Sequence, residues 1–364
     1  MGHLYGELAA AHSYRGEYVN RAIEHYKLAL QADPGASLAM EELSDLYMQS
    51  GRLRDAVSEA EDMLRRNPDN LDARRLLGRI YTRLIGDSQQ GRINEEMLRR
   101  ATDQYRKITE KDPKDTDAWL MLGRLSKIGQ NSLEAEKAYK RALELDPKNE
   151  YALSGLATVY ADLGDAKAAL EMWRRLSEVD PNPRTLRALA GAYEQVRDYA
   201  AAVEAMRRAA EMAPKDGDIQ RELAEYLLLA DKRDEALKLY QELAAADPKD
   251  AHLELRLSQI YRQKRDLRKA RAAQDRARSL DADSLDIRFN EVNLLEAEGK
   301  TAEAIEQLKE LLESTAKKSY SAAERSNRAI LLERLGLLYR AGEQVAPAVE
   351  TFQRMAELDP ELGA

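Results

Sequence analysis

The 364-residue chain contains no cysteine, two phenylalanines and two tryptophans. Without cysteine there is no disulfide, thiolate metal site or thiol nucleophile. The compartment stays open, because a reducing cytosol and an exported chain that avoids mispairing both suit such a sequence. Its four histidines, His3, His12, His25 and His252, are scattered with no i,i+4 pair, so no metal site is expected. No apolar run approaches the ~18 residues of a membrane span, and the amphipathic N-terminal stretch does not read as a secretory signal. An excess of one charge is missing too. Fifty-seven basic residues are interspersed among 65 acidic ones for a net charge of -8, which removes the basic bias that sequence-independent nucleic-acid binding requires. Glycine-rich phosphate loops, G-x-S-x-G elbows and acidic calcium loops are absent. Carboxylate pairs such as Glu41 with Glu42, or Glu95 with Glu96, read as solvated helix faces. No catalytic constellation and no cofactor are expected.

What is present is a period. Proline recurs at Pro34, Pro68, Pro113, Pro147, Pro181, Pro214, Pro248 and Pro360, in steps of 34, 45, 34, 34, 33, 34 and 112 residues. A unit of that length cannot bury its own apolar face and must stack on copies of itself. Within the fourth unit Trp119, Leu122 and Gly123 mark one helix and Ala135, Tyr139 and Ala142 a second, before Pro147 stops it. Alanine, leucine, glutamate, lysine and arginine fill the helices, while glycine and proline fall at turns.

The pattern W-x2-L-G-x2-Y, then A-x3-F, A and P resembles the tetratricopeptide repeat family. It is matched by Leu43, Tyr47 and Ala56 in the second unit; by Leu77, Gly78, Tyr81, Ala101 and Tyr105 in the third; and by Leu335, Gly336, Tyr339, Ala348 and Phe352 in the last. Ala282 stands at one proline position, and Glu291 replaces the usual leucine in the ninth unit. The resemblance implies an all-α, right-handed superhelical solenoid of ten helix-turn-helix repeats. It predicts a single domain over 1–364, with repeats ending near Pro34, Pro68, Pro113, Pro147, Pro181, Pro214, Pro248, Ala282, Ala316 and Pro360. Insertions fall near 84–94, where Asn94 is a good helix start, and 316–325, where Ser321-Ala322-Ala323-Glu324 reads as a capping box that begins an overlong helix. The last repeat is expected to be uncapped, leaving Val349, Phe352 and Ala356 partly exposed, an open end through which end-to-end self-association could occur.

In this family the first helix of every repeat lines a concave surface that holds peptides. Its groove positions map onto Arg75, Arg79 and Arg83 in the third unit and Arg124 and Lys127 in the fourth. The first three share a face at i, i+4, i+8, where like charges repel by a few tenths of a kcal/mol per pair. Two readings stand. The five are a basic strip for acidic side chains, or Arg75 and Arg79 are neutralised by Glu41 and Asp45 on the preceding helix, while Arg83, Arg124 and Lys127 lack an acid at the matching positions. Further along the groove becomes mixed, through Arg221, Glu225, Leu228, Leu255 and Phe289. The carboxylate clamp of chaperone-binding relatives is not reproduced, since Met121, Tyr151 and Gly155 fall where it needs asparagine, lysine and arginine. The asparagine ladder of sugar-transferring relatives is reduced to Asn290. The expected function is a non-enzymatic scaffold for a protein or peptide, an acidic one where the basic strip is the binding surface. The alternatives are the substrate-selecting arm of a larger enzyme such as a glycosyltransferase, and a self-assembling structural subunit.

Overall fold

The computed structural model describes residues 1–14, 16–32, 37–86 and 93–358, without the side chains of Ser37 and Glu41. Among the described residues there are twenty α-helices and no strand, and they group into two compact units, Met1–Asp198 and Tyr199–Ala364. The first unit holds α1 (Gly2–Ala11), α2 (Gly16–Ala32), α3 (Ser37–Gln49), α4 (Leu53–Arg66), α5 (Leu71–Arg83), α6 (Glu95–Lys111), α7 (Thr116–Ile128), α8 (Ser132–Leu145), α9 (Glu150–Asp162), α10 (Ala166–Val179) and α11 (Pro183–Gln195). The second holds α12 (Tyr199–Met212), α13 (Gly217–Leu229), α14 (Arg233–Ala246), α15 (Ala251–Gln263), α16 (Leu267–Leu280), α17 (Leu285–Ala297), α18 (Thr301–Ser314), α19 (Ala322–Ala341) and α20 (Val345–Leu358). In each, consecutive helices pack as hairpins and each hairpin packs on the next. This is the all-α repeat solenoid that the period predicts.

A four-residue signal punctuates the stack. In Asp112-Pro113-Lys114-Asp115 the first aspartate accepts the Lys114 amide (3.1 Å), proline blocks the finished helix, and Asp115 caps α7 by accepting the Ala118 amide (2.9 Å). Asp146 through Asn149 and Asp247 through Asp250 repeat the device before α9 and α15. Ten alanines in phase, from Ala22 and Ala56 to Ala304 and Ala348, are at most 5 % exposed, because a larger side chain would push the two helices of a hairpin apart. Glycine has the same task where an aromatic ring lies flat on backbone: a Cβ on Gly78 would stand 2.7 Å from the Tyr105 ring.

The two irregular regions lengthen helices. Asn94 accepts from the Met97 amide (3.2 Å) and starts the 17-residue α6, while the insertion's residues 87–92 lie outside the described ones. Ser321 and Glu324 form the capping box and α19 runs for 20 residues against 13 in α17. The prolines at 34 and 360 also fall outside the described residues. In α20 Val349 is 51 % exposed, and Phe352 and Ala356 are half-buried.

Candidate partner-binding groove

α3, α5 and α7 are the first helices of three successive hairpins, and a cavity of about 640 Å³ opens along them. Its apolar lining is unusually soft. Met40 and Met48 come from α3, Met121 and Ala118 from α7, and Leu76 from α5. Unbranched thioethers adapt to side chains of different shape, so the lining suits a ligand with one large apolar anchor. At the floor the Tyr105 ring, from α6, is pressed against Gly78 and only 4 % exposed. Its hydroxyl has no hydrogen-bond partner among the described residues. Burial pushes its pKa up to about 12, against the pull of the Arg79, Arg75 and Arg124 charges. A neutral donor therefore sits beneath a cationic rim.

The four arginines and one lysine of the basic strip do not share one role. Arg75 donates to Asp115 (2.5 Å), which is itself nearly buried, and to Asp72 (3.1 Å). Burial works against this cation, but the bonds and charges of Asp115 and Asp72 together more than offset it and the Arg75 pKa is raised. Asp115 thus caps α7 with one carboxylate oxygen and pins Arg75 with the other. Unit two repeats this arrangement, with Arg221 on Asp250 (3.0 Å) while Asp250 caps α15. Among the described residues Arg75 is therefore held by Asp72 on its own helix and by Asp115 at the N-cap of α7, while the Glu41 side chain, its expected partner, lies outside them. Arg79 pairs with Asp45, as its spacing predicts. Lys127 corrects the expectation that it lacks an acid, because Asp162 at the end of α9 lies 3.6 Å away. Arg83 and Arg124 have no ion pair among the described residues and are exposed.

Arg75, Arg79 and Arg83 line the cavity together with Asp72 and Asp117, whereas Arg124 and Lys127 lie on α7 outside its lining. The sequence reasoning missed the methionines and Tyr105. Met48 occupies the groove row one repeat before Thr82, so its position was readable, but softness in a lining becomes visible only once three helices are placed side by side. In the second unit Glu225 is bound by Arg256 (2.9 Å) and accepts from the Tyr240 hydroxyl (2.5 Å), and Leu255 is buried. Among the described residues no helix is long and apolar enough to cross a membrane.

Three family descriptions, each named Tetratricopeptide repeat, match residues 19–80, 87–249 and 331–361. Among curated proteins, the cytochrome c-type biogenesis protein CcmH of Escherichia coli K12 is 35 % identical over 97 residues, 26 % of this chain and 28 % of that protein. The peroxisomal targeting signal receptor of Komagataella phaffii is 38 % identical over 72 residues, 19 % of this chain and 12 % of that one. The chain therefore spans little more than a quarter of the length of the first of these relatives. Among solved structures, YrrB, described as a TPR protein with an unusual peptide-binding site, aligns over 51 % of this chain and 97 % of its own at 22 % identity and a TM-score of 0.44.

Proposed function

The chain belongs to the tetratricopeptide repeat family, whose repeats are protein–protein interaction scaffolds, and from that membership we propose that it is non-catalytic and takes an acidic protein segment in the α3–α5–α7 groove. The observation that carries this reading is the contrast within the strip. Arg75 is consumed by the stacking of one repeat on the next, while Arg83 stands without an ion pair among the described residues and lines the same cavity as the methionines and Tyr105. A large apolar side chain enters against Met40, Met48 and Met121, and an adjacent carboxylate reaches Arg83, with Arg79 able to exchange its exposed partner Asp45 for it. Arg124, on the same rim, adds to the field that the segment meets on approach. Recognition of a short segment also agrees with the relative named as a targeting-signal receptor.

Selection of random 12-residue peptides displayed on phage, against the full chain, tests this. Recovered sequences are expected to pair a large apolar residue with aspartate or glutamate. An Arg83→Glu, Arg124→Glu variant of unchanged helicity should lose at least about tenfold in affinity for them, as expected when charged hydrogen bonds are replaced by repulsion. Peptides without acidic enrichment, or equal binding to the variant, overturn the reading.

A further inference from the structure

The second unit has a cavity of its own, about 300 Å³, between α15 and α17. Arg262, in the last turn of α15, lines it with Gln259, Phe289, Asn290 and Asn293. The neighbouring arginines are engaged, Arg256 by Glu225 and Arg334 by Glu296. Arg262 has no ion pair among the described residues, and that sets it apart, since its Nε is buried without a hydrogen-bond partner as those of Arg256 and Arg334 are. Burial depresses its pKa, the nearby Arg334 charge depresses it further, and Glu296 compensates only in part. A half-buried guanidinium beside a second one and without its own counter-ion costs the free protein stability, so packing gives no reason for it.

The cavity wall also holds an orphan acceptor, and its identity follows from a chain of hydrogen bonds. The Ile287 carbonyl can only accept, so the Gln274 side-chain nitrogen faces it (2.8 Å). The Gln274 oxygen then faces Asn290 and must receive the Asn290 amide nitrogen (2.8 Å), which also donates to Ser258 (3.0 Å). Asn290 is 2 % exposed, and its Oδ1 is left with no donor. The cavity therefore offers one cation without an ion pair and one unfilled acceptor, with the Asp286 carboxylate also in its lining. His252 and Asp286 lie in the first turns of α15 and α17, and at 1.5 Å per residue Arg262 is about 15 Å further along, enough for several residues of extended chain.

We infer that this cavity binds the side-chain carboxylate of an aspartate or glutamate in a protein segment lying along α15 and α17, with Arg262 holding the carboxylate and Asn290 Oδ1 accepting an adjacent N–H. It rests on the scaffold reading and adds a second anchoring point, on the other unit. The test is titration of the full chain while the Arg262 Nε–Hε resonance, assigned by its loss in Arg262→Lys, is followed by NMR. The probes are N-acetyl-aspartyl-N-methylamide, its asparaginyl counterpart and inorganic phosphate. The aspartyl probe should shift the resonance saturably and bind about tenfold more tightly than the asparaginyl one. It should also shift the Asn290 side-chain signals in the wild type but not in Arg262→Gln. Absence of a saturable shift, equal affinity for both amides, or a preference for phosphate overturns the inference. None of these outcomes bears on the α3–α5–α7 groove, which peptide selection judges separately.

Discussion

Gly78 is held by a ring. With 2.7 Å between an added Cβ and the Tyr105 ring, Gly78→Ala must displace Tyr105, and it is expected to cost about 1–3 kcal/mol, measured as a lower midpoint in thermal unfolding. Because Tyr105 floors the groove, the same variant should bind selected peptides less tightly. A different constraint acts at the turns inside the hairpins. Gly51, Gly164 and Gly299 have positive φ there, and the equivalent places are occupied by Gln130, Asp231, Arg265 and Glu343 at φ of 57–63°. A side chain in that region clashes with its own backbone, so Arg265→Gly should stabilise by about 0.5–1 kcal/mol after glycine's extra chain entropy is subtracted. Chemical denaturation measures this, and a destabilised variant would refute it.

Elements begin and end where short-range chemistry dictates, and this level was the most legible in the sequence. Proline, the preceding aspartate and the following aspartate or asparagine are local signals, and Ser321 with Glu324 is a cap whose two bonds form as the spacing implies. The bonds from Lys317 and from the Ser321 amide lower the Glu324 pKa to about 2 from 4.5. A carboxylate held below its unfolded value contributes stability that is complete above that value and is lost as pH falls through the folded one. The difference in unfolding midpoint between wild type and Glu324→Gln should therefore narrow from about pH 5 to about pH 2, and salt should narrow it too because the pair is exposed. Less legible was Asp115. A cap is recognisable from its neighbours in sequence, but its second oxygen serves Arg75, 40 residues earlier, and only stacked helices bring the two together. The same holds for Lys127 and Asp162.

At the scale of the molecule, coupling in a repeat array runs from each hairpin to its neighbours, so damage should stay local. Ala304, fully buried where α17 meets α18, tests this. Ala304→Asp buries an unpaired charge, and hydrogen exchange should then report lost amide protection over α17 to α20 with protection over α3 to α8 retained. Loss over both would show that the chain unfolds as one cooperative body. The ninth repeat shows how a departure from the period is absorbed. Glu291, where leucine is usual, is bound by Arg271 (2.5 Å), which also holds Glu298 (2.8 Å), so the repeat keeps its place with an ionic contact in the core. By itself the sequence determined the all-α class, the helix-turn-helix unit and most of its boundaries, because periodicity, caps and proline act over a few residues. Which cations remain available was decided only by tertiary structure. A charge is neutralised by whatever lies within a few ångströms, and in a stacked array that neighbour comes from another repeat, as Asp115 does for Arg75. Arg262 is defined in the same way, by the lack of such a neighbour among the described residues.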